Sequence, residues 1–274
     1  MRGHSPHGPP RAARWVDAAA RLGHVATGSV YIIVGVVAAL ACFDARMRPL
    51  GTQGALHRTL KGDLGAFALL AIALGLTADA VWQMVRAAVD ADRVGPGMTG
   101  AANRVAWIVT GVTHFGLAIA AFKIVLGIRQ STAEAGVKRW TELIMSIPFG
   151  PWLVAALGIV VVGVGLVMFY RAWTGDVDRW LNLTELPPTI RAIVMGLGRF
   201  GLVARGVVLG LAGLFLVVAA IQLRPEDARG LGGTLRTIQY QHEGRVLLGI
   251  IALGFISNGI LELVRARYRE IRIT

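Results

Sequence analysis

The sequence predicts an all-α integral membrane protein with six transmembrane helices, arranged as three tandem parallel two-helix repeats in a pseudo-threefold bundle. Hydrophobic residues make up 55% of the 274-residue chain and charged residues only 16%, whereas soluble domains carry about 25% charged residues. Long apolar stretches alternate with short basic connections, and the motifs at the ends of these stretches recur. Composition, hydropathy and repetition therefore agree on the fold class.

The N-terminal residues differ in composition from the first apolar stretch. Residues 1–10 are rich in Gly, Pro and His, and we expect them to form a disordered tail. Residues 11–22 place Trp15, Ala18 and Leu22 on one face of a helix. Such an amphipathic segment is typical of a helix that lies in the membrane interface. We therefore predict a short interfacial helix before the first span.

Six stretches are long enough to cross a bilayer. A transmembrane helix needs about 20 predominantly apolar residues, and basic residues flank such helices. Pro151 marks the start of the fourth span, because proline is favoured in the first turn of a helix. The predicted spans are 25–43, 64–85, 105–122, 151–170, 200–223 and 246–264.

An internal repeat is the most specific signal in the chain. The pattern Arg-x-(Gly/Ala)-x-(Val/Ile)-x-x-Gly opens the first, third and fifth spans, starting at Arg21, Arg104 and Arg199. Each even span has a glycine at its start and Arg-Ala at an offset of 21 residues, beginning at Gly65, Gly150 and Gly244. Self-similarity of this kind indicates tandem structural units. The predicted repeats cover residues 18–87, 101–172 and 196–266.

The repeat also predicts the orientation in the membrane. Each repeat has an even number of spans, so the repeats are parallel and related by an axis along the membrane normal. All repeated arginines then lie on one side, and the positive-inside rule places that side, with both termini, in the cytoplasm. Arginines near a membrane surface attract anionic headgroups. The candidate headgroup ligands are Arg21, Arg86, Arg104, Arg171, Arg199 and Arg265.

These motifs resemble those of the bacterial membrane family known as domain of unknown function 1206, whose members look like three copies of a two-helix unit. The resemblance covers almost all of the chain after the N-terminal tail. It departs at Ala106 and Val160, where the other repeats have glycine, and we expect looser packing in the middle repeat. The resemblance implies a protein of the bacterial inner membrane, and it implies no activity or catalytic residue.

Four polar residues inside the spans form a candidate intramembrane site, because charges there are costly and often functional. At 1.5 Å per residue, Asp79 and Arg205 lie about 10 and 9 Å from the side of the repeated arginines. We hypothesise an Asp79–Arg205 pair between the first and third repeats. Alternatively, Arg205 snorkels to the interface and Asp79 is protonated or bonds to Thr77. Asn258 is the third-repeat equivalent of Asp79.

His114 lies near the midplane of the third span and has two interpretations. It could belong to a path for protons or cations, or it could be a neutral ring hydrogen-bonded to a neighbouring helix. We expect the neutral, hydrogen-bonded ring. Glu262 precedes Arg265 by three residues, which predicts a local ion pair.

Several functional classes are disfavoured. The single cysteine, Cys42, excludes an intramolecular disulfide and a cysteine-based zinc site. The net charge of +12 is spread over every connection, whereas nucleic-acid binding needs basic residues on one face. No catalytic motif occurs, so we expect no enzyme activity, catalytic residue, metal or cofactor.

Two functions remain. The first, which we expect because a transport path usually contains more polar residues than these spans do, is a non-enzymatic scaffold or interaction protein that binds partner proteins, copies of itself or anionic membrane lipid. The second is a channel or carrier for ions or small solutes, with a path along the pseudo-threefold axis. The direction of the intramembrane polar residues separates the two. Convergence on a cavity favours transport, and pairing between helices around a packed axis favours the scaffold.

Overall fold

The described part of the chain is helical throughout its regular structure. The computed structural model describes residues 11–43, 49, 51, 63–90, 94–128, 132–175 and 186–268. A short 3₁₀ turn, Pro225–Asp227, lies in the connection between the helix that ends at Gln222 and the helix that begins at Leu231. The helices are α1 (Arg11–Phe43), α2 (Asp63–Val89), α3 (Met98–Val125), α4 (Ala133–Met145), α5 (Gly150–Thr174), α6 (Pro188–Gln222), α7 (Leu231–Gln239) and α8 (Gly244–Tyr268).

Six of these helices, α1, α2, α3, α5, α6 and α8, are long and apolar enough to cross a membrane. The predicted all-helical membrane fold with six spans is thereby confirmed. The predicted tail, residues 1–10, lies outside the described residues. Residues 11–22 are helical, but they continue without a break into the first span, so the two form one helix. The interfacial position of the first turns stays a prediction.

Two of the glycines that open the even spans, Gly150 and Gly244, are required by tight turns. Gly150 and Gly244 each follow a residue with positive φ, Phe149 at 62° and Glu243 at 56°. A side chain on Gly150 would overlap the carbonyl oxygen of Ile144. A side chain on Gly244 would likewise overlap the carbonyl oxygen of Ile238, near the end of α7. In the second and third repeats, the glycine therefore allows a connecting helix to turn directly into a span.

Neighbouring repeats pack through close crossings of small residues. A Cβ added to Gly28 on α1 would lie 2.8 Å from the carbonyl oxygen of Gly259 on α8. A Cβ added to Gly165 on α5 would lie 2.8 Å from the carbonyl oxygen of Gly206 on α6. Such close backbone approach is how helices associate in lipid. The equivalent pairs at the three interfaces between repeats are Gly28–Gly259, Gly111–Ala80 and Gly206–Gly165.

Packing within a repeat is similar in the first and third repeats. In the first, a side chain on Gly75 of α2 would overlap Ala26 of α1. In the third, a side chain on Gly254 of α8 would overlap Ala204 of α6. These two pairs occupy equivalent places in the sequence motifs.

The middle repeat lacks this contact. The equivalent residues there are Val109 on α3 and Val160 on α5, and two valines are too large for the crossing that glycine and alanine make. Among the described residues, α3 and α5 hardly touch, while every other consecutive pair of spans packs together, as do α1 and α8. The expected loosening of the middle repeat is therefore confirmed. The ring of spans is open between α3 and α5, and its pseudo-threefold arrangement stays a prediction.

The far half of the bundle, away from the repeated arginines, is filled by a hydrophobic core. Its fully buried side chains come from several spans and from α7, and they include Val34, Leu76, Leu235 and Leu248. Phe255 lies in the same cluster, with its ring centroid 5.9 Å from that of Tyr31. No described residue of α5 belongs to this cluster, so the tightly packed part of this end lies around α1, α2, α7 and α8.

Candidate functional site

Residues from all six spanning helices meet in one cavity of about 110 Å³. The cavity lies at the end of the bundle where α1 and α3 begin and α2, α5 and α8 end, which we call the arginine end. The titratable side chains that line it are His24, Asp79, Arg86, His114, Arg171, Arg205, Glu262 and Arg265.

The lining recurs at equivalent positions of the three repeats. The arginines of the even-span motif, Arg86, Arg171 and Arg265, all reach the cavity. So do the residues six places after the arginine of the odd-span motif, which are Thr27, Thr110 and Arg205. Because each repeat contributes the same positions, the cavity lies between the three repeats rather than inside any one of them.

Asp79 and His114 form a buried pair between α2 and α3. Oδ2 of Asp79 lies 2.6 Å from Nδ1 of His114. The side-chain amide of Gln83 donates a longer hydrogen bond of 3.4 Å to the same oxygen. The pair therefore joins the first repeat to the second, and His114 is hydrogen-bonded to a neighbouring helix, as expected.

Glu262 is the centre of a second cluster, between α8 and α1. Its Oε2 atom lies 2.8 Å from Nδ1 of His24. Its Oε1 atom accepts a hydrogen bond of 2.6 Å from Arg265, which confirms the predicted local ion pair. Both carboxylate oxygens are thus used, and the cluster joins the third repeat to the first.

Two of the cavity arginines lie over aromatic rings. The guanidinium of Arg205 is 5.0 Å from the ring centroid of Tyr31. That of Arg86 is 4.5 Å from the ring centroid of Trp107, and it also donates a hydrogen bond of 2.9 Å to Gln83. Cation–π contacts of this kind stabilise a cation where water is scarce. They also hold the planar guanidinium groups in fixed orientations.

The cavity carries an excess of positive charge. Of the described residues, four arginines and two carboxylates line it, and these carry two more positive than negative charges when the histidines are neutral. Interactions between charges are stronger in a partly buried site than in water. Arginine also recognises carboxylate and phosphate groups through paired hydrogen bonds. The chemistry of the lining therefore favours an anion. Within the described ranges, no three His, Cys, Asp or Glu side chains come together as metal ligands would.

The Asp79–Arg205 pair hypothesised from the sequence is wrong. Asp79 contacts His114, whereas Arg205 lies over Tyr31, and no ion pair joins Asp79 to Arg205 among the described side chains. The similar depths predicted for Asp79 and Arg205 agree with the structure, because both residues line the same cavity. Depth alone could not give the rotation of each helix, which decides the partner.

Asn258 is placed differently from the other three candidate residues. It is fully buried where α8 crosses α6 and does not line the cavity. A Cβ added to Gly201 on α6 would lie 2.7 Å from the backbone nitrogen of Asn258. In the first repeat, the equivalent glycine, Gly23, lies similarly close to Asp79. Neither atom of the Asn258 side-chain amide has a hydrogen-bond partner among the described residues.

The six candidate headgroup arginines divide into two sets. Those of the even spans line the cavity, and Arg86 among them is buried. Those of the odd spans lie against the end of an even helix in another repeat. Arg21 donates a hydrogen bond of 3.3 Å to the carbonyl oxygen of Arg267. The guanidinium of Arg104 lies 3.0 Å from a carboxylate oxygen of Asp90, and the side chain of Arg199 packs against Gly175. A cation is favourable at the C-terminal end of a helix. The six arginines predicted as headgroup ligands therefore form two sets with different surroundings.

Sequence reasoning missed the role of His24 and the inward direction of Arg86. His24 meets Glu262 from the other end of the chain, and no local pattern reports such a contact. A signal for Arg86 was present, because Asp79, Gln83 and Arg86 are spaced four and three residues apart. Residues at this spacing share one face of a helix, so a buried Asp79 implies an inward Arg86.

Comparisons with known proteins agree with the repeat architecture. A family model described as Domain of Unknown Function (DUF1206) matches residues 22–90, 105–175 and 200–269. These three segments overlap the three predicted repeats. The uncharacterised protein YxxB of Bacillus subtilis (strain 168) is 26% identical over 256 residues, which cover 93% of this chain and 92% of the relative. No solved structure matches the chain.

Proposed function

The chain belongs to the DUF1206 family, and we propose that it is a membrane carrier that binds an anion at the arginine end of its central cavity. One observation carries the proposal. Arg86, Arg171, Arg205 and Arg265 come from four different helices and converge on one cavity. Because intramembrane polar residues that converge on a cavity favour transport, this arrangement supports the transport alternative over the scaffold.

The surroundings of the arginines support binding of a compact anionic group. Asp79 and Glu262 offset part of the positive charge, and each is already engaged, with His114 and His24 respectively. An anion of one or two charges would balance the remaining excess. Four guanidinium groups line the cavity, and phosphate and carboxylate oxygens suit their planar geometry.

A carrier fits this arrangement better than a permanently open channel. Among the described residues, those that line this cavity stop short of the far half of the bundle, where the core around Phe255 and Leu76 packs. A solute bound among the arginines would cross only after the spans rearrange. Parallel repeats that rock against one another around a site near the middle of the membrane are a known basis of such movement.

We also infer the setting of the carrier. The positive-inside rule places the repeated arginines on the cytoplasmic side, so the cavity would open toward the cytoplasm and both termini would lie there. The bacterial relative supports placement in a bacterial inner membrane.

Anion binding is tested by thermal unfolding of the purified full-length chain. We expect inorganic phosphate or acetate to raise the Tm relative to chloride at the same ionic strength, because a ligand that binds the folded state stabilises it by mass action. Arg205→Gln should weaken this effect so that about ten times more anion is needed, which corresponds to 1.4 kcal/mol. Uptake of the same labelled anions into proteoliposomes then tests carriage.

Arg139→Gln is the matched control, because Arg139 is exposed on α4, away from the cavity. It removes the same charge and should leave the anion effect unchanged. Equal losses in both variants, or no difference between phosphate, acetate and chloride in the parent protein, would contradict anion binding in the cavity.

The scaffold is the second candidate, and a specific observation favours it. The two His–carboxylate contacts join neighbouring repeats, and the far half of the bundle is packed, as expected of a rigid body that presents a fixed surface. Absence of anion binding and uptake, together with crosslinking to partner proteins or to copies of itself, would support this function.

A further inference from the structure

The ring of spanning helices is open on one side, and the opening borders the cavity. Helices α3 and α5 stand next to each other there without packing together. Both supply cavity residues at their arginine ends, Trp107 and Thr110 from α3 and Val164 and Met168 from α5. The wall of the cavity between these helices is therefore not sealed by a helix crossing.

The residues at this opening are exposed where their equivalents are buried. Val160 has 38% of its surface exposed, whereas the equivalent glycines Gly75 and Gly254 are buried in helix crossings. Ala106 is partly exposed, and Gly23 in the equivalent position is buried. In a membrane protein such an exposed apolar face between two spans meets acyl chains.

The opening continues toward the far end of the bundle as an apolar pocket. This pocket of about 510 Å³ lies between α3, α4 and α5. Its walls include Ile119, Val154, Leu157 and Trp140, and Lys123 is the charged side chain among them. From Thr110 at the cavity to Ile119 at the pocket is about 14 Å at 1.5 Å per residue, close to half of the roughly 30 Å hydrocarbon core. One lipid tail therefore has the length to run from the cavity into the pocket.

We propose that the anion bound by the cavity is the headgroup of an amphiphilic lipid, which enters sideways from the bilayer between α3 and α5. The proposal rests on the proposed function, because it names the class of ligand for the same cavity. The arginines bind the anionic headgroup, and the opening and the pocket hold an acyl chain. Charge complementarity at one end and apolar walls at the other select an anionic lipid over a zwitterionic one.

Native mass spectrometry of the full-length chain tests this with three probes. Dioctanoyl phosphatidic acid carries a phosphate headgroup and tails, glycerol 3-phosphate carries the headgroup alone, and dioctanoyl phosphatidylcholine carries tails with a zwitterionic headgroup. We expect phosphatidic acid to bind at least about ten-fold more tightly than either of the other probes. Equal binding of phosphatidic acid and phosphatidylcholine would overturn the headgroup assignment.

Variants that fill the opening locate the lipid. Val160→Trp should weaken binding of phosphatidic acid at least about ten-fold and leave glycerol 3-phosphate unaffected. Val109→Trp fills the opening from α3, should have the same result, and keeps the test valid if the first variant does not fold. Ile159→Trp is the matched control, because Ile159 is 63% exposed and its equivalents Leu74 and Leu253 are each 57% exposed. Its position therefore faces lipid in every repeat.

The two proposals fail in different ways. If glycerol 3-phosphate binds as tightly as phosphatidic acid and the tryptophan variants change nothing, the anion is water-soluble. Lateral entry is then overturned, and the anion-binding function stands. If none of the three probes binds and phosphate and acetate leave the Tm unchanged, the function itself is overturned. Equal losses in Val160→Trp and Ile159→Trp would overturn the assignment of the opening.

Discussion

We expect Asp79→Leu to lower the free energy of unfolding by about 3 kcal/mol, since it leaves the buried His114 ring without its carboxylate partner. The decisive quantity is the coupling in a double-mutant cycle. Between Asp79 and His114 it should be about 1.5–3 kcal/mol, the value for a hydrogen bond to a charged group. Reversible unfolding of the purified variants in mixed micelles provides both quantities.

The same cycle run with Arg205 is the control for this prediction. Asp79 and Arg205 line one cavity without an ion pair between them, so their coupling should be weaker than that between Asp79 and His114, which are in contact. A stronger coupling of Asp79 to Arg205 than to His114 would favour the pair hypothesised from the sequence and contradict the geometry described above.

Glu262→Leu should lower the free energy of unfolding more than Asp79→Leu does, by about 3–5 kcal/mol, because breaking a buried ion pair leaves an uncompensated charge. Both carboxylate oxygens are used, one by His24 at 2.8 Å and one by Arg265 at 2.6 Å. Glu262→Gln keeps the shape and one acceptor, and should lose less. The same unfolding measurement applies.

Glu142→Leu is the matched control for Glu262, because Glu142 is exposed on α4. Surface substitutions away from special contacts change stability by no more than about 0.5 kcal/mol. If Glu262→Leu and Glu142→Leu had the same effect, Glu262 would not hold the first and third repeats together.

The fold was predictable because its determinants are local. Apolar length specifies each span, and repeated motifs such as those at Arg21 and Arg104 specify the unit that is repeated. The weakened contact in the middle repeat was also predictable, because Val160 replaces a glycine on which close packing depends. Each of these inferences needs only residues near one another in the chain.

The site was only partly predictable because it depends on contacts between distant helices. Depth follows from counting along one helix, so a similar level for Asp79 and Arg205 was predictable, and both line the same cavity. Partner choice depends on how two helices are rotated against each other, and sequence spacing leaves this open. His24 and Glu262 are 238 positions apart, and their contact follows from the closure of α8 on α1.

We propose that the cavity is electropositive and is reached from the arginine end of the bundle. Reaction of a cysteine inside the cavity with small charged thiol reagents tests it most directly. Thr110 lines the cavity, so we use Thr110→Cys with Cys42→Ser in proteoliposomes of known orientation. Thr132→Cys, exposed before α4 near the far end of α3, is the control and should react from the other side with either reagent.

We expect the cysteine at position 110 to react from the arginine side only, and about ten-fold faster with an anionic methanethiosulfonate than with a cationic one, because a positive cleft raises the local concentration of anions. Prior addition of phosphate should slow the reaction. Faster reaction with the cationic reagent, or reaction from the opposite side, would contradict an anion-binding cavity at the arginine end.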